Sequence, residues 1–403
     1  MHKLLRWRGA IRGLLKVLAL CFNGDMQITQ SALPQTLHFP AQTHAAPGAL
    51  RLLWGETARL GKTGLLVHGQ SFANSGRLSR LLARVPKSMR VVPHCHCGGE
   101  PTLAQLEALR STAYATRVDW IAAVGGGSVL DLAKASAGLV DAPDSSEAYH
   151  GGKALPERGG IPFVAVPTTA GTGSEATAVC VLTNQETGVK KSFRHPRLMP
   201  QVVLLDPELL EDAPRGVIAA SGMDAFTQAL ESYTSRHATP LTRALSLLAT
   251  ELIGRALLPT YEGRRSGCTN LLQGSYLAGV ALANARLGLV HGLAHPLGSR
   301  YGVGHGAACA ACLPVVTQFN SEVCGEDYQS VSEVIGEPLL EFVPRMMEAM
   351  RLENPFAGPI PADVDQIVAE VMGSGSTAAN PRPVSTGDAR RILNALFIGA
   401  MSI

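Results

Sequence analysis

Three histidines pose the first chemical question in this chain. His291 and His295 stand four residues apart in His291-Gly292-Leu293-Ala294-His295-Pro296, and His305 follows after a glycine-containing turn. Residues four apart on a helix share one face, so His291 and His295 would project together. A carboxylate and an amide repeat the spacing in Ser221-Gly222-Met223-Asp224-Ala225-Phe226-Thr227-Gln228, where Asp224 and Gln228 are one turn apart. Such a mixed oxygen and nitrogen set suits a hard or borderline divalent ion. The same spacing also serves plain helix packing, and the pattern alone leaves both readings open.

Two glycine-rich segments suggest a second chemistry. Gly125-Gly126-Gly127-Ser128-Val129-Leu130-Asp131 follows an apolar run and opens a helical pattern. Glycines let the backbone approach a pyrophosphate, and free amides at a helix start favour its charge. Leu130 stands where the usual dinucleotide fingerprint has its third glycine, so the segment also reads as an ordinary strand-to-helix turn. Pro167-Thr168-Thr169-Ala170-Gly171-Thr172-Gly173-Ser174-Glu175 also follows an apolar run, and its hydroxyls could bind phosphate or ribose. A solvated loop of small residues is the alternative. If both segments end adjacent strands, a dinucleotide becomes the favoured ligand.

The elements that must position these residues fall into two halves. From about residue 60 to 206, short β-rich runs at 63–68, 120–124, 162–166 and 202–205 alternate with helical patterns at 78–82 and 129–139. Continuous apolar strands separated by helices predict a parallel sheet covered on both faces. Beyond residue 208 long helical stretches take over, at 242–256 and 270–285, without convincing strands. The expected architecture is an α/β dinucleotide-binding domain over 26–208 followed by an all-helical metal and substrate domain over 209–403, with the active site in the cleft between them. No internal repeat is visible.

Residues 1–25 combine Lys3, Arg6, Arg8, Arg12 and Lys16 with a short apolar run. Lys16 interrupts that run and no small-x-small cleavage site follows it, so an over-long reading frame starting properly at Met26 is favoured over a targeting peptide. The run is too short to span a bilayer. A net charge of +3 and 5% aromatic residues give no platform for nucleic acid. The eight cysteines form no disulfide framework, which fits a cytoplasmic enzyme. His94, Cys95, His96 and Cys97 alternate faces if extended and do not easily converge on one ion. Cys309 and Cys312 form a CxxC in a run of small residues that reads as a closely packed helix face, with redox or zinc chemistry as the alternative.

Taken in order, these motifs resemble the iron-containing (group III) alcohol dehydrogenase family. The resemblance runs from about Leu52 to Leu396. It takes in the Gly-Gly-Gly-Ser loop, Pro167-Thr168-Thr169, Gly173-Ser174-Glu175, Asp206-Pro207, Gly222-Met223-Asp224-Ala225, Gly288-Leu289-Val290-His291 and His305-Gly306. It implies NAD(P)-dependent hydride transfer between a nicotinamide and a small alcohol or aldehyde, in a homo-oligomer without nucleic-acid or membrane partners. It places a divalent ion, Fe²⁺ or Zn²⁺, on Asp224, Gln228, His291 and His305, and a proton relay at His295. It assigns cofactor contacts to Gly126, Gly127, Ser128, Asp131, Thr168, Thr169 and Lys190. Gln228 departs from the family, which has histidine there. The turn His68-Gly69-Gln70-Ser71 also lacks the carboxylate of many NAD-preferring members, which leaves room for NADP. A metal-independent reductase of the maleylacetate reductase kind is the alternative, and a nucleotide-binding protein without turnover is a further one. Gly127→Val is expected to abolish nucleotide binding while leaving the fold largely intact.

Overall fold

The computed structural model describes residues 31–399; the expected N-terminal extension lies outside them. The described chain forms two compact units, and each follows from a different hydrophobic pattern.

The unit His38–Ala213 is built on a six-stranded parallel sheet. Its strands are β1 (Gln42–Ala45), β2 (Thr63–Gly69), β3 (Arg90–His96), β4 (Trp120–Gly125), β5 (Phe163–Pro167) and β8 (Val202–Leu205), in the order β1-β8-β5-β4-β2-β3. Alternate residues of the central strands feed opposite faces. Leu65, Val67, Ile121, Ala123, Phe163 and Ala165 enter one apolar cluster, while Leu66, Trp120, Ala122, Val124, Val164 and Val166 enter another. Burial on both faces explains why these runs are continuously apolar. The helices α1 (Leu103–Thr116) and α2 (Gly127–Leu139) belong to the first cluster. From β2 the chain goes to β3 on one side, then to β4 on the other. That reversal is a topological switch point, where open α/β sheets bind ligands at their carboxyl ends. A separate antiparallel pair joins β6 (Val179–Thr183) to β7 (Lys190–Arg194).

The sequence reading did not assign β1, β3, β6 or β7. Of β7, Lys-Lys-Ser-Phe-Arg, Phe193 alone is buried, and β1 pairs with a strand some 160 positions away. Neither carries a local apolar signal.

Among the described residues the second unit comprises 31–37 and 214–399, and its regular elements are all helices. Residues 31–37 were expected in the α/β domain. They belong here instead, with Leu241 N donating to Ala32 O at 3.2 Å. The helices that matter for chemistry are α3 (Arg215–Thr234), α4 (Pro240–Tyr261), α5 (Cys268–Ala285), α6 (Leu289–Tyr301) and α7 (His305–Asn320). A capping box of Thr239 and Thr242, with Pro240 in the first turn, starts α4 ahead of the expected apolar stretch. From Gly222 to Thr234 every residue of α3 is buried, as befits a helix packed on all sides. Among the described residues no single helix is long and apolar enough to cross a membrane.

Candidate active site

In the α/β unit, β4 and β5 run in parallel register with Gly125 opposite Pro167, and Thr168 N donates to Gly125 O at 3.0 Å. The two glycine-rich segments therefore leave adjacent strand ends beside the switch point, the arrangement in which a dinucleotide is favoured. Gly126 precedes α2 in extended conformation, and no side chain caps the helix start. The first amides of α2 are thus available to an anion.

The segments also touch each other. A Cβ on Gly126 would lie 3.3 Å from Thr169 Oγ1, and one on Gly127 only 2.7 Å from Thr172 Cγ2. Gly127→Val would collide with its neighbouring loop before meeting any nucleotide. The Thr172 side chain would have to shift to admit it.

Asp131 and Lys190 are engaged with protein partners. Asp131 accepts from Ser174 Oγ at 2.5 Å and from Val181 N at 2.8 Å. Lys190 Nζ pairs with Glu100 at 2.8 Å. Beside them Lys134 is wholly buried, its ammonium reaching the carbonyls of Ser174, Thr177 and Val179 at 2.5, 3.0 and 2.7 Å. Asp131 and Lys134 thereby tie the Thr/Gly loop and β6 to α2. Glu175 is also buried, and burial raises its carboxyl to about 7.

In the helical unit, three helices each contribute a pair of residues one turn apart: Asp224 and Gln228 on α3, His291 and His295 on α6, His305 and Cys309 on α7. Single donor atoms of Asp224, His291, His305 and Cys309 all lie within 4.8 Å of one another. Asp224 Oδ1 is 3.3 Å from His291 Nε2 and 3.7 Å from His305 Nε2, which is 3.7 Å from Cys309 Sγ. A tetrahedral ion bound at about 2.0–2.3 Å would separate its ligands by roughly 3.3–3.8 Å. Asp224 Oδ1, His291 Nε2 and Gln228 Oε1 are buried and make no hydrogen bond. Buried polar atoms without partners are costly, and a cation among them would satisfy them. The residues present fit a metal.

Close backbone approach makes this convergence possible. A Cβ on Gly306 would lie 2.4 Å from the carbonyl oxygen of Ala220, so the start of α7 rests directly on α3. Glu231, two turns beyond Asp224, orients the site from behind. Its Oε2 lies 2.6 Å from His291 Nδ1, and its Oε1 accepts from Val290 N at 2.6 Å. A partner on Nδ1 leaves Nε2 as the ligating nitrogen. Burial opposes charge throughout, yet His305 and His291 hold the Asp224 carboxyl down to about 2. Against burial, Cys309 with Glu231 raises His291 well above the usual imidazole range, and Cys309 with Asp224 raises His305. The Cys309 thiol is lowered in turn by the two imidazoles. His295 is exposed, and its ring stacks on His305 with centroids 5.1 Å apart.

Sequence reasoning missed Glu231, and it preferred helix packing over metal binding for Cys309. Both carried a signal, since Glu231 continues the Asp224–Gln228 face and Cys309 stands four residues after His305. The His94–Cys97 segment contributes no comparable cluster. Cys95 and Cys97 share a side, with sulfurs 3.9 Å apart, and among the described residues the Asp224 group alone could hold an ion with three or more His, Cys, Asp or Glu ligands.

Comparison with known proteins supplies the deciding observation. Residues 40–207 match the family described as iron-containing alcohol dehydrogenase, and residues 218–397 match the C-terminal family of Fe-containing alcohol dehydrogenases. The chain belongs to the iron-containing alcohol dehydrogenase family. The protein named "Probable alcohol dehydrogenase EutG" of Salmonella typhimurium is 37% identical over 309 residues, covering 75% of this chain and 77% of that protein. The NADPH-dependent butanol dehydrogenase of Clostridium saccharobutylicum is 31% identical, covering 70% and 77%. An alcohol dehydrogenase from Oenococcus oeni shares the fold with a TM-score of 0.84 at 28% identity, covering 90% of this chain and all of that one. As an iron-containing alcohol dehydrogenase the chain is an NAD(P)-dependent oxidoreductase that interconverts alcohols and aldehydes.

Proposed function

We propose that this enzyme carries out its alcohol–aldehyde chemistry on a small substrate, with a divalent cation held by Asp224, His291 and His305. The observation that carries this reading is the convergence of buried Asp224 Oδ1 and His291 Nε2, 3.3 Å apart and without a hydrogen bond, on His305 Nε2, all within 4.8 Å of one another. A cation there supplies Lewis acidity toward a substrate oxygen. Glu231 fixes the ring of His291 through Nδ1, and Asp224 provides the negative charge that a cation requires. His295, exposed and stacked on His305, passes a proton between the substrate oxygen and solvent. Gly126, Gly127, Ser128, Thr168 and Thr169 cradle the nucleotide phosphates at the ends of β4 and β5. Asp131 acts there by holding the Thr/Gly loop and β6 to α2, while Lys190 is engaged with Glu100.

NADPH serves at least as well as NADH in this reading. The end of β2 at Gly69-Gln70-Ser71 carries no carboxylate to repel a 2′-phosphate, and Gln70 is occupied with Asn74 and Cys95. A relative named for NADPH dependence is consistent with that choice.

The test is steady-state oxidation of NADH and NADPH with a panel of small aldehydes, before and after chelation and with Fe²⁺ or Zn²⁺ restored. Activity lost to chelator and restored by metal supports the reading. An active, metal-free enzyme indifferent to chelator overturns it. The metal-independent reductase would then replace it, with His295 and His305 the next residues to vary.

A further inference from the structure

The group at Asp224 contains a sulfur that the ligand set implied by the family resemblance does not. We infer that Cys309 is a metal ligand in this enzyme, making the donor set one carboxylate, two imidazoles and one thiolate. The inference rests on the metal reading above and adds the identity of the fourth ligand and the class of ion.

Three observations carry it. Cys309 lies one turn beyond His305 on α7, so the two side chains share a face, and the sulfur is 3.7 Å from His305 Nε2. That sulfur belongs to the group whose donor atoms all lie within 4.8 Å of one another, alongside Asp224 and His291. Finally, Gln228 occupies the position where the resemblance implies a third imidazole. An amide oxygen is a harder donor than imidazole, and a thiolate on the facing helix restores the ligand count and adds a negative charge to the site. Packing alone would place a small apolar side chain at position 309, and it would leave the buried oxygen of Asp224 and nitrogen of His291 as unsatisfied as before. Cys312 lies three residues further on and is equally buried, but it is not in the group.

A thiolate shifts the preference of a site toward borderline and softer ions. The ion this set selects is therefore zinc, or cobalt as its substitute, over ferrous iron.

The test uses the full-length enzyme titrated with Co²⁺ and followed by absorption spectroscopy. The wild type should show both visible ligand-field bands and a near-ultraviolet thiolate-to-cobalt charge-transfer band. Cys309→Ser should lose the charge-transfer band, keep the visible bands and bind Zn²⁺ at least roughly tenfold more weakly, a lost ligand costing no less than a lost outer-shell partner. Cys312→Ser should keep both bands. Ligand-field bands without a charge-transfer band in the wild type, or a charge-transfer band that survives Cys309→Ser, overturns the assignment while the metal reading stands. Failure of the wild type to bind Co²⁺ or Zn²⁺ at all overturns both. X-ray absorption of the zinc-loaded wild type decides the matter without any variant: a sulfur scatterer in the first shell supports the inference, and a shell of nitrogen and oxygen alone overturns it.

Discussion

Glu231 shows how a single side chain can serve structure and chemistry together. One of its oxygens caps the start of α6 through Val290 N, and the other faces His291 Nδ1. Glu231→Gln keeps an oxygen for the cap but turns an amide N–H toward Nδ1, forcing the proton onto Nε2, where the metal should bind. The variant should lose about 10–100-fold in metal affinity, as outer-shell changes typically do, with little change in thermal midpoint. Competition against a chromophoric chelator measures the first and calorimetry the second; unchanged affinity would deny Glu231 its orienting part. Glu175 carries a prediction about pH. Its carboxyl rises from 4.5 to about 7 through burial. Below pH 4.5 the carboxyl is protonated in both the folded and unfolded chain, so it adds no pH dependence. As pH rises from there toward 7 the unfolded chain ionises while the folded one keeps its proton, so stability falls, then levels off. Across that window the wild type should lose about 3 kcal/mol relative to Glu175→Gln. Urea unfolding of both proteins at several pH values checks the sign; a constant difference would mean that Glu175 is ionised in the fold.

The spacing of the three helices decides whether the donor atoms meet. Gly306→Ala places a methyl 2.4 Å from the Ala220 carbonyl, a backbone atom that cannot turn aside, whereas Gly304→Ala points into open space. The first should cost about 1–3 kcal/mol of stability, as overpacking does, and should weaken metal binding; the second should do neither. Equal behaviour of the two, by unfolding and metal titration, would show that α3 and α7 are free to separate. At the other site, Ser128→Glu puts a negative charge in the first turn of α2. That favours the helix dipole but repels a pyrophosphate. NAD(P)H affinity by fluorescence should fall more than tenfold while the thermal midpoint holds or rises; unchanged affinity would remove the phosphates from this loop. Much of this was legible in the sequence because it repeats locally. The one-turn pairs and the glycines after apolar strands announce themselves within a few residues. Cys309 was hidden because its neighbours are small and apolar, and its role depends on the facing helix. The strands β1 and β7 were hidden because pairing with distant or polar partners, rather than their own composition, makes them strands.

At the scale of the whole molecule, each of the two units carries one of the proposed ligand sites. A ligand that binds only the folded state stabilises it by mass action. Zinc should therefore slow amide hydrogen exchange first in α3, α6 and α7, and NADPH first along β4, β5 and the start of α2. Mass spectrometry of the exchanged protein reads both patterns; NADPH that leaves β4, β5 and the start of α2 unprotected would contradict the nucleotide site, and zinc that leaves α3, α6 and α7 unprotected the metal site. Lys134 gives the α/β unit a property of another kind. Its ammonium is sealed among the carbonyls of the Thr/Gly loop and β6, and burial lowers its affinity for a proton. Sealed, it cannot be reached by an amine-acylating reagent; released, it is a more reactive nucleophile than a surface lysine only while its surroundings stay dry. Acylation at this one position thus becomes a chemical clock for the opening of the nucleotide loop, and a loop once acylated has lost the cation that closed it.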